Sequence, residues 1–194
     1  MSKVAIIDYG AGNVKSIELA LRRINAKSIL TSNLEEITKA DRVIFPGVGE
    51  ASSAMKKLKQ YNIDKILPNL KQPVLGICLG MQLMCNRSEE GKTPGLGIFN
   101  VDVVKFSKKN KVPQIGWNKI NKLRSPLFKN IIPETYVYLV HSYFAKLCSN
   151  TCAESFYGLN YSSALYLKNF YGVQFHPEKS SKQGSKILKN FMKL

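Results

Sequence analysis

Pro73-Val74-Leu75-Gly76-Ile77-Cys78-Leu79-Gly80-Met81-Gln82 decides how the rest of the chain is read. A short apolar run opening after a proline reads as a buried strand. The segment from Leu79 to Arg87 repeats apolar residues as a helix would. Between them, glycines flank one cysteine, the pattern of a sharp strand-to-helix turn that lifts a nucleophile out of a sheet. The glycines matter because such a turn presses the nucleophile's neighbours against adjoining backbone. The turn also places the Cys78 sulfur at the positive end of the following helix, where a thiolate is favoured. Cys85, seven residues on and on the same predicted helix face, takes the ordinary reading of a buried structural cysteine.

Outward from this turn, the same strand-then-helix unit recurs towards the start of the chain. Val4–Ile7 runs into Asp8-Tyr9-Gly10-Ala11-Gly12-Asn13, and apolar residues then fall at helical spacing at Ile17, Leu21 and Ile24. Ser28–Leu30 precedes Leu34–Thr38, and Arg42–Phe45 precedes Ala51–Leu58. Short buried strands alternating with helices predict a three-layer, flavodoxin-like α/β fold, its mostly parallel sheet covered on both faces. After Gly91 the pattern changes to extended segments, Val101–Phe106, Tyr136–Val140, Ala164–Leu167 and Tyr171–Phe175, which predict a mixed or antiparallel portion of the sheet. Ser185–Leu194 closes the chain as an amphipathic helix. With no repeat or long linker, residues 1–194 are expected to form one domain. Glu89–Pro94 and Ser107–Lys111 are the expected mobile surface loops.

A thiol nucleophile needs a base, and the chain has 2 histidines, His141 and His176. His176 lies in Gln174-Phe175-His176-Pro177-Glu178, directly after an apolar strand, where catalytic groups of α/β sheets collect. Glu178 can fold back on it, with Pro177 stiffening the backbone between them. A carboxylate that accepts from one imidazole nitrogen leaves the other free to take the thiol proton. Cys78, His176 and Glu178 thus form a candidate triad. His141, in Tyr138-Leu139-Val140-His141-Ser142-Tyr143, reads as part of a substrate wall or as a structural histidine.

The balance of 29 Lys and Arg against 13 Asp and Glu gives a net charge of +16 and invites a polyanion reading. The lysines are dispersed, however, at Lys56-Lys57, Lys59, Lys71, Lys108-Lys109, Lys111, Lys186, Lys189 and Lys193. They describe a solvated basic surface suited to docking an acidic partner, and no nucleic-acid partner is expected. The 4 cysteines follow no secreted-scaffold spacing, no signal segment opens the chain, and no apolar run nears the roughly 20 residues of a membrane helix. A reduced, cytoplasmic setting without membrane attachment is expected. Cys148 and Cys152 make an incomplete zinc set and read as packing residues, so neither a metal nor a cofactor is expected.

Gly76-Ile77-Cys78-Leu79-Gly80-Met81-Gln82 and Phe175-His176-Pro177-Glu178 resemble the two defining motifs of the class I glutamine amidotransferases, over nearly the whole chain. Asp8–Asn13, Pro46-Gly47-Val48-Gly49 and Pro113-Gln114-Ile115-Gly116-Trp117-Asn118 are further similar to the branch that supplies ammonia to imidazole glycerol phosphate synthases in histidine biosynthesis. Other members usually carry Pro-Gly-Gly where Pro46-Gly47-Val48 stands; the Gln114-Ile115 position varies in the family, and the lysine content is unusual for it. The resemblance implies that Cys78 attacks the side-chain amide of glutamine, forming a thioester that water clears. The released ammonia would pass to a (β/α)8-barrel cyclase subunit in a heterodimer. It implies backbone amides of Val48 and Leu79 as the oxyanion hole, each donor worth about 2.7 to 4 kcal/mol, with Gly49, Gln82, Ser142 and Tyr143 holding glutamine. Asn13, Trp117, Tyr138 and Lys179 would meet the cyclase, although Trp117 could equally be a core aromatic. Glycines on both sides of Val48 would permit a peptide flip that makes or breaks the hole under control of the partner. Three competing readings remain: another ammonia donor of the class, such as one serving pyridoxal phosphate synthesis; a basic nucleic-acid-binding domain; and a cysteine peptidase of related fold.

Overall fold

The computed structural model describes residues 3–10 and 12–194, so Ala11 of the first glycine loop lies outside the described residues. In chain order the elements are β1 (Lys3–Ile7), α1 (Val14–Arg23), β2 (Lys27–Thr31), α2 (Leu34–Lys39), β3 (Arg42–Gly47), α3 (Ala51–Gln60) and α4 (Ile63–Ile66). The elbow follows as β4 (Val74–Cys78) and α5 (Leu79–Leu83), then β5 (Cys85–Ser88), β6 (Thr93–Pro94) and β7 (Phe99–Lys105). The second half comprises β8 (Gln114–Ile120), β9 (Thr135–His141), β10 (Tyr143–Ala145), β11 (Thr151–Phe156), β12 (Asn160–Leu167), β13 (Phe170–Val173) and α6 (Ser181–Phe191).

The large sheet runs β2-β1-β3-β4-β13-β12-β10-β7-β5-β6, with β11 beside β12. From β2 through β13 all pairings are parallel, and from β13 through β7 they are antiparallel. Alternation sorts the core. On β1, Ala5 and Ile7 face one layer with Ile37 of α2 and Ala54, Met55 and Leu58 of α3. Val4 and Ile6 face the other, with Ile17 and Leu21 of α1 and Ile187, Leu188 and Phe191 of α6. Because both faces are covered, β1, β3 and β4 read as continuous apolar runs in the sequence. The start of α2 is fixed by Asn33, whose Oδ1 accepts from the backbone N–H of Glu35 at 2.9 Å and of Glu36 at 3.2 Å.

The helix expected to continue to Arg87 ends at Leu83 instead, and Cys85–Ser88 pairs as a strand with β7. The returning chain takes the carbonyls that another helical turn would have used: Leu96 N–H donates to Leu83 O, Ile98 N–H to Met84 O and Gly97 N–H to Cys85 O. Gly95 lets this segment come close, since a Cβ there would lie 2.0 Å from Cys85 O. Cys85 is therefore a strand residue. It is buried, as is Cys152, and burial raises both thiol pKa values, that of Cys152 to about 12.

Gly116-Trp117-Asn118 sits on β8, which pairs with β9 in a separate two-stranded antiparallel sheet. The inner face of this ribbon, Ile120, Val137 and Leu139, packs into the α1–α6 core. Its outer face leaves Ile115, Trp117 and Tyr136 largely in solvent, so Trp117 is not a core residue.

Candidate active site

Neighbouring parallel strands deliver the site residues to one edge. Gly47, last in β3, lies in register with Cys78, last in β4, and Val173, last in β13, lies opposite Ile77. The residues just past these strand ends are therefore brought together: Val48-Gly49, the elbow, and Gln174 through Glu178.

Cys78 has φ 53° and ψ −113°, a backbone geometry that a side chain makes costly. Close packing enforces it. A Cβ on Gly80 would lie 2.0 Å from Phe45 O, and one on Gly76 would lie 2.6 Å from Met84 Sδ and 2.9 Å from Met81 N. With hydrogen at both positions, α5 folds directly onto β3 and β4.

His176 and Glu178 flank Pro177 in a 3-10 turn after β13. His176 Nδ1 lies 2.8 Å from Glu178 Oε1, with both side chains almost wholly buried. A carboxylate can only accept here, so Nδ1 carries the hydrogen and Nε2 is the free end on the cleft side. Burial favours the neutral ring. The adjoining Cys78 sulfur and Glu178 carboxylate favour the cation more strongly, and the balance raises the imidazole pKa to about 10. Nε2 has no hydrogen-bond partner among the described residues, and the Cys78 thiol faces Val140 O at 3.9 Å.

Ser180, which nothing in the sequence marked, fastens this turn to β9. Its hydroxyl donates to His176 O at 2.7 Å and accepts from Tyr138 N–H at 3.0 Å, while His176 N–H donates to Tyr138 O at 2.9 Å. The glycine loop after β1 braces the opposite wall: Tyr9 Oη donates to Pro46 O at 2.8 Å, and Lys57 Nζ donates to Gly10 O at 2.6 Å.

A cleft of about 370 Å³ opens over the sulfur. Cys78, His176, Val48, Leu79, Gly49, Gln82, Ser142 and Tyr143 all line it, as do Asn13 and Lys179 at its mouth. Glu178 stands behind His176, outside that lining. Trp117 and Tyr138 lie beside the mouth, edge to face with ring centroids 6.1 Å apart, and Lys179 Nζ sits 5.8 Å above the Tyr138 ring. Sequence reasoning missed Glu90, the one acid lining the cleft among the described residues, which caps α3 by accepting from Ala51 N–H at 2.9 Å. Burial raises its pKa, the Ala51 bond opposing.

His141 lines the cleft too, and its Nδ1 lies 2.8 Å from Tyr143 O, packed near Phe106 and Tyr161. Burial lowers its pKa to about 4, so it is neutral at pH 7. No group of three or more potential metal-ligating side chains occurs among the described residues. No helix is long and apolar enough to cross a membrane.

The sequence from residue 5 to 194 matches the family model for class I glutamine amidotransferase domains. The chain is 49% identical to the imidazole glycerol phosphate synthase subunit HisH of Bacteroides thetaiotaomicron, covering 99% of this chain and 100% of that one. The subunit of the same name from Haemophilus influenzae is 42% identical, over 99% of this chain and 98% of that one. Among solved structures, a GMP synthase subunit from Thermoplasma acidophilum superposes with a TM-score of 0.78 at 22% identity, over 100% of this chain and 93% of that one. PurLQS of Thermotoga maritima superposes with a TM-score of 0.75 at 14% identity, covering 100% and 99%. These two likenesses bear on the fold alone.

Proposed function

We propose, for a chain that belongs to the class I glutamine amidotransferases and within them to the HisH-type glutaminase subunits, that Cys78, His176 and Glu178 hydrolyse glutamine as one domain spanning residues 1–194. One observation carries this reading: His176, bonded to Glu178 through Nδ1, turns Nε2 to the cleft beside a cysteine held at a strained strand-to-helix turn.

His176 takes the Cys78 proton, and the sulfur attacks the carboxamide carbon. The C–S bond forms as the carbonyl π pair moves to oxygen, where the amides of Val48 and Leu79 receive it. Collapse breaks the C–N bond, and His176 returns the proton to the departing nitrogen, giving ammonia and a thioester. Water, deprotonated by His176, cleaves the thioester to glutamate. Glu178 fixes the tautomer and balances the imidazolium charge. Gly49, Gln82, Ser142 and Tyr143 hold the substrate, and Glu90 is placed to pair with its ammonium group.

Ammonia passes to a cyclase of (β/α)8-barrel type, its partner in a heterodimer, for imidazole ring formation in histidine biosynthesis in the cytoplasm. The names of the relatives support a subunit role. The exposed Trp117, stacked against Tyr138 under Lys179 at the cleft mouth, supports the docking face, with Asn13 at its edge. Gly49, at φ 91°, leaves the Val48 peptide free to turn as the partner binds.

The test is glutamate release by the purified chain alone, with the cyclase and its ribotide ligand, and by Cys78→Ala in both settings. Activity that rises with the liganded partner and vanishes in Cys78→Ala is expected. Full activity of the lone chain would refute partner control, and activity surviving in Cys78→Ala would refute the nucleophile.

A further inference from the structure

Gln174 is fully buried, directly after β13 and two residues before His176, and its own N–H donates to Ser163 O at 2.9 Å. Its carboxamide lies between Gln82, whose Nε2 donates to Gln174 Oε1 at 2.9 Å, and Cys78, whose sulfur is 3.7 Å from Gln174 Nε2. Which end of the amide faces the sulfur is decided by the network. Tyr143 O, a main-chain carbonyl that can only accept, receives Gln82 Nε2 at 2.8 Å. The NH2 group of Gln82 is thereby fixed, and the same group faces Gln174. Gln174 must then present oxygen to Gln82 and its NH2 to Cys78. A flipped amide would set two NH2 groups against each other in a buried site and aim oxygen lone pairs at the nucleophile.

We propose that Gln174 is a donor to the Cys78 thiolate, a second one beside His176, holding the sulfur charge before attack and again as the thioester breaks. A buried anion is costly without donors, and His176 cannot serve throughout, because it gives its proton to the departing ammonia. The Gln174 amide is neutral and keeps its protons. During acylation sulfur donates an electron pair to carbon and the Gln174 bond weakens. During hydrolysis water attacks the thioester carbon, the C–S bond breaks, the pair returns to sulfur, and the Gln174 bond is restored. Gln174 exchanges no atom or electron at any stage. The inference rests on Cys78 as nucleophile.

Alkylation of the full-length chain by iodoacetamide, followed at the Cys78 peptide by mass spectrometry from pH 5 to 10, tests it without requiring glutamine turnover. Gln174→Met removes the donor at similar volume. Gln174→Glu keeps the acceptor for Gln82, but its ionised carboxylate has no proton to give. Both profiles are expected to move to higher pH, with Cys78 alkylation about tenfold slower than the parent at pH 7, the scale of one hydrogen bond to a charged group, and converging with it at high pH. A loss of rate that is uniform across the pH range would mark a merely structural role and overturn the proposal, as would profiles that coincide with the parent's. Should Gln174→Met not fold, Gln174→Glu decides alone. Cys78 reacting no faster than Cys148 in the parent would instead refute the nucleophile, an outcome separate from the failure of Gln174.

Discussion

Gly80→Ala adds one methyl group at the point where α5 crosses β3. The new carbon would stand 2.0 Å from Phe45 O and 3.0 Å from Phe45 C, whereas carbon and oxygen in close contact stay about 3.3 Å apart. More than 1 Å must therefore be found between two backbone segments, with no side chain able to rotate away. Phe45 is fully buried and pairs in register with Gly76, so moving its carbonyl disturbs the strand pair that carries the elbow. Overpacking ordinarily costs about 1–3 kcal/mol and occasionally more; a backbone-to-backbone clash belongs at or above the upper end. In a domain of this size 1 kcal/mol shifts Tm by about 2–4 °C, so a fall of about 6–12 °C is expected. The strained Cys78 backbone depends on α5 lying against β3, and glutaminase activity should be lost together with rapid Cys78 alkylation, even below the new Tm. Calorimetry and iodoacetamide labelling of the same preparation check both effects. A Gly80→Ala protein melting within 2 °C of the parent (about 1 kcal/mol or less), with Cys78 still reactive, would refute the packing account of the elbow.

Glu178→Gln keeps an oxygen facing His176 Nδ1 but removes the charge; turnover is expected to fall at least tenfold, with the imidazole titrating at lower pH, checked by pH–rate profiles and NMR. His141 is neutral in the fold with its pKa lowered to about 4 by burial. The unfolded chain therefore binds the extra proton between about pH 6.5 and 4, and stability falls with pH across that window by about 3 kcal/mol on this residue's account. Urea titrations of His141→Gln should lack that slope. His176, with its pKa raised to about 10, works the other way: its contribution is complete below about pH 6.5 and disappears as pH rises through 10. Trp117→Ala should leave Tm within about 2 °C of the parent, since the side chain is 52% exposed. It should weaken cyclase binding by about 2 kcal/mol, roughly 30-fold, in calorimetric titration.

The parallel half of the fold was legible because strands covered on both faces must be apolar throughout, as at Val4–Ile7 and Val74–Ile77, and because Gly76 and Gly80 mark where backbones touch. Convergence of Cys78 and His176 was legible from strand ends alone. The end of α5 was not, because the acceptors that stop it are satisfied by residues 96–98, a pairing that no local periodicity carries. Nor was β8, where Trp117 faces solvent and interrupts any simple pattern of burial. Glu90, Gln174 and Ser180 escaped notice for a common reason. Each acts through a bond to a distant segment, Ala51, Cys78 and Tyr138 respectively, and a single polar residue beside an apolar run gives no sign of its partner.

The pairing of β4 with β13 also sets a biosynthetic timetable. A nascent chain emerges at about 5–20 residues per second, and the sulfur leaves the ribosome well before its base and the strand that seats it. Until Phe170–Val173 inserts between β4 and β12, Cys78 has neither proton acceptor nor shaped cleft, so partial products and stalled chains cannot drain the cell's glutamine pool. Completion of synthesis is thus the enzyme's first safeguard against waste, before any partner is met.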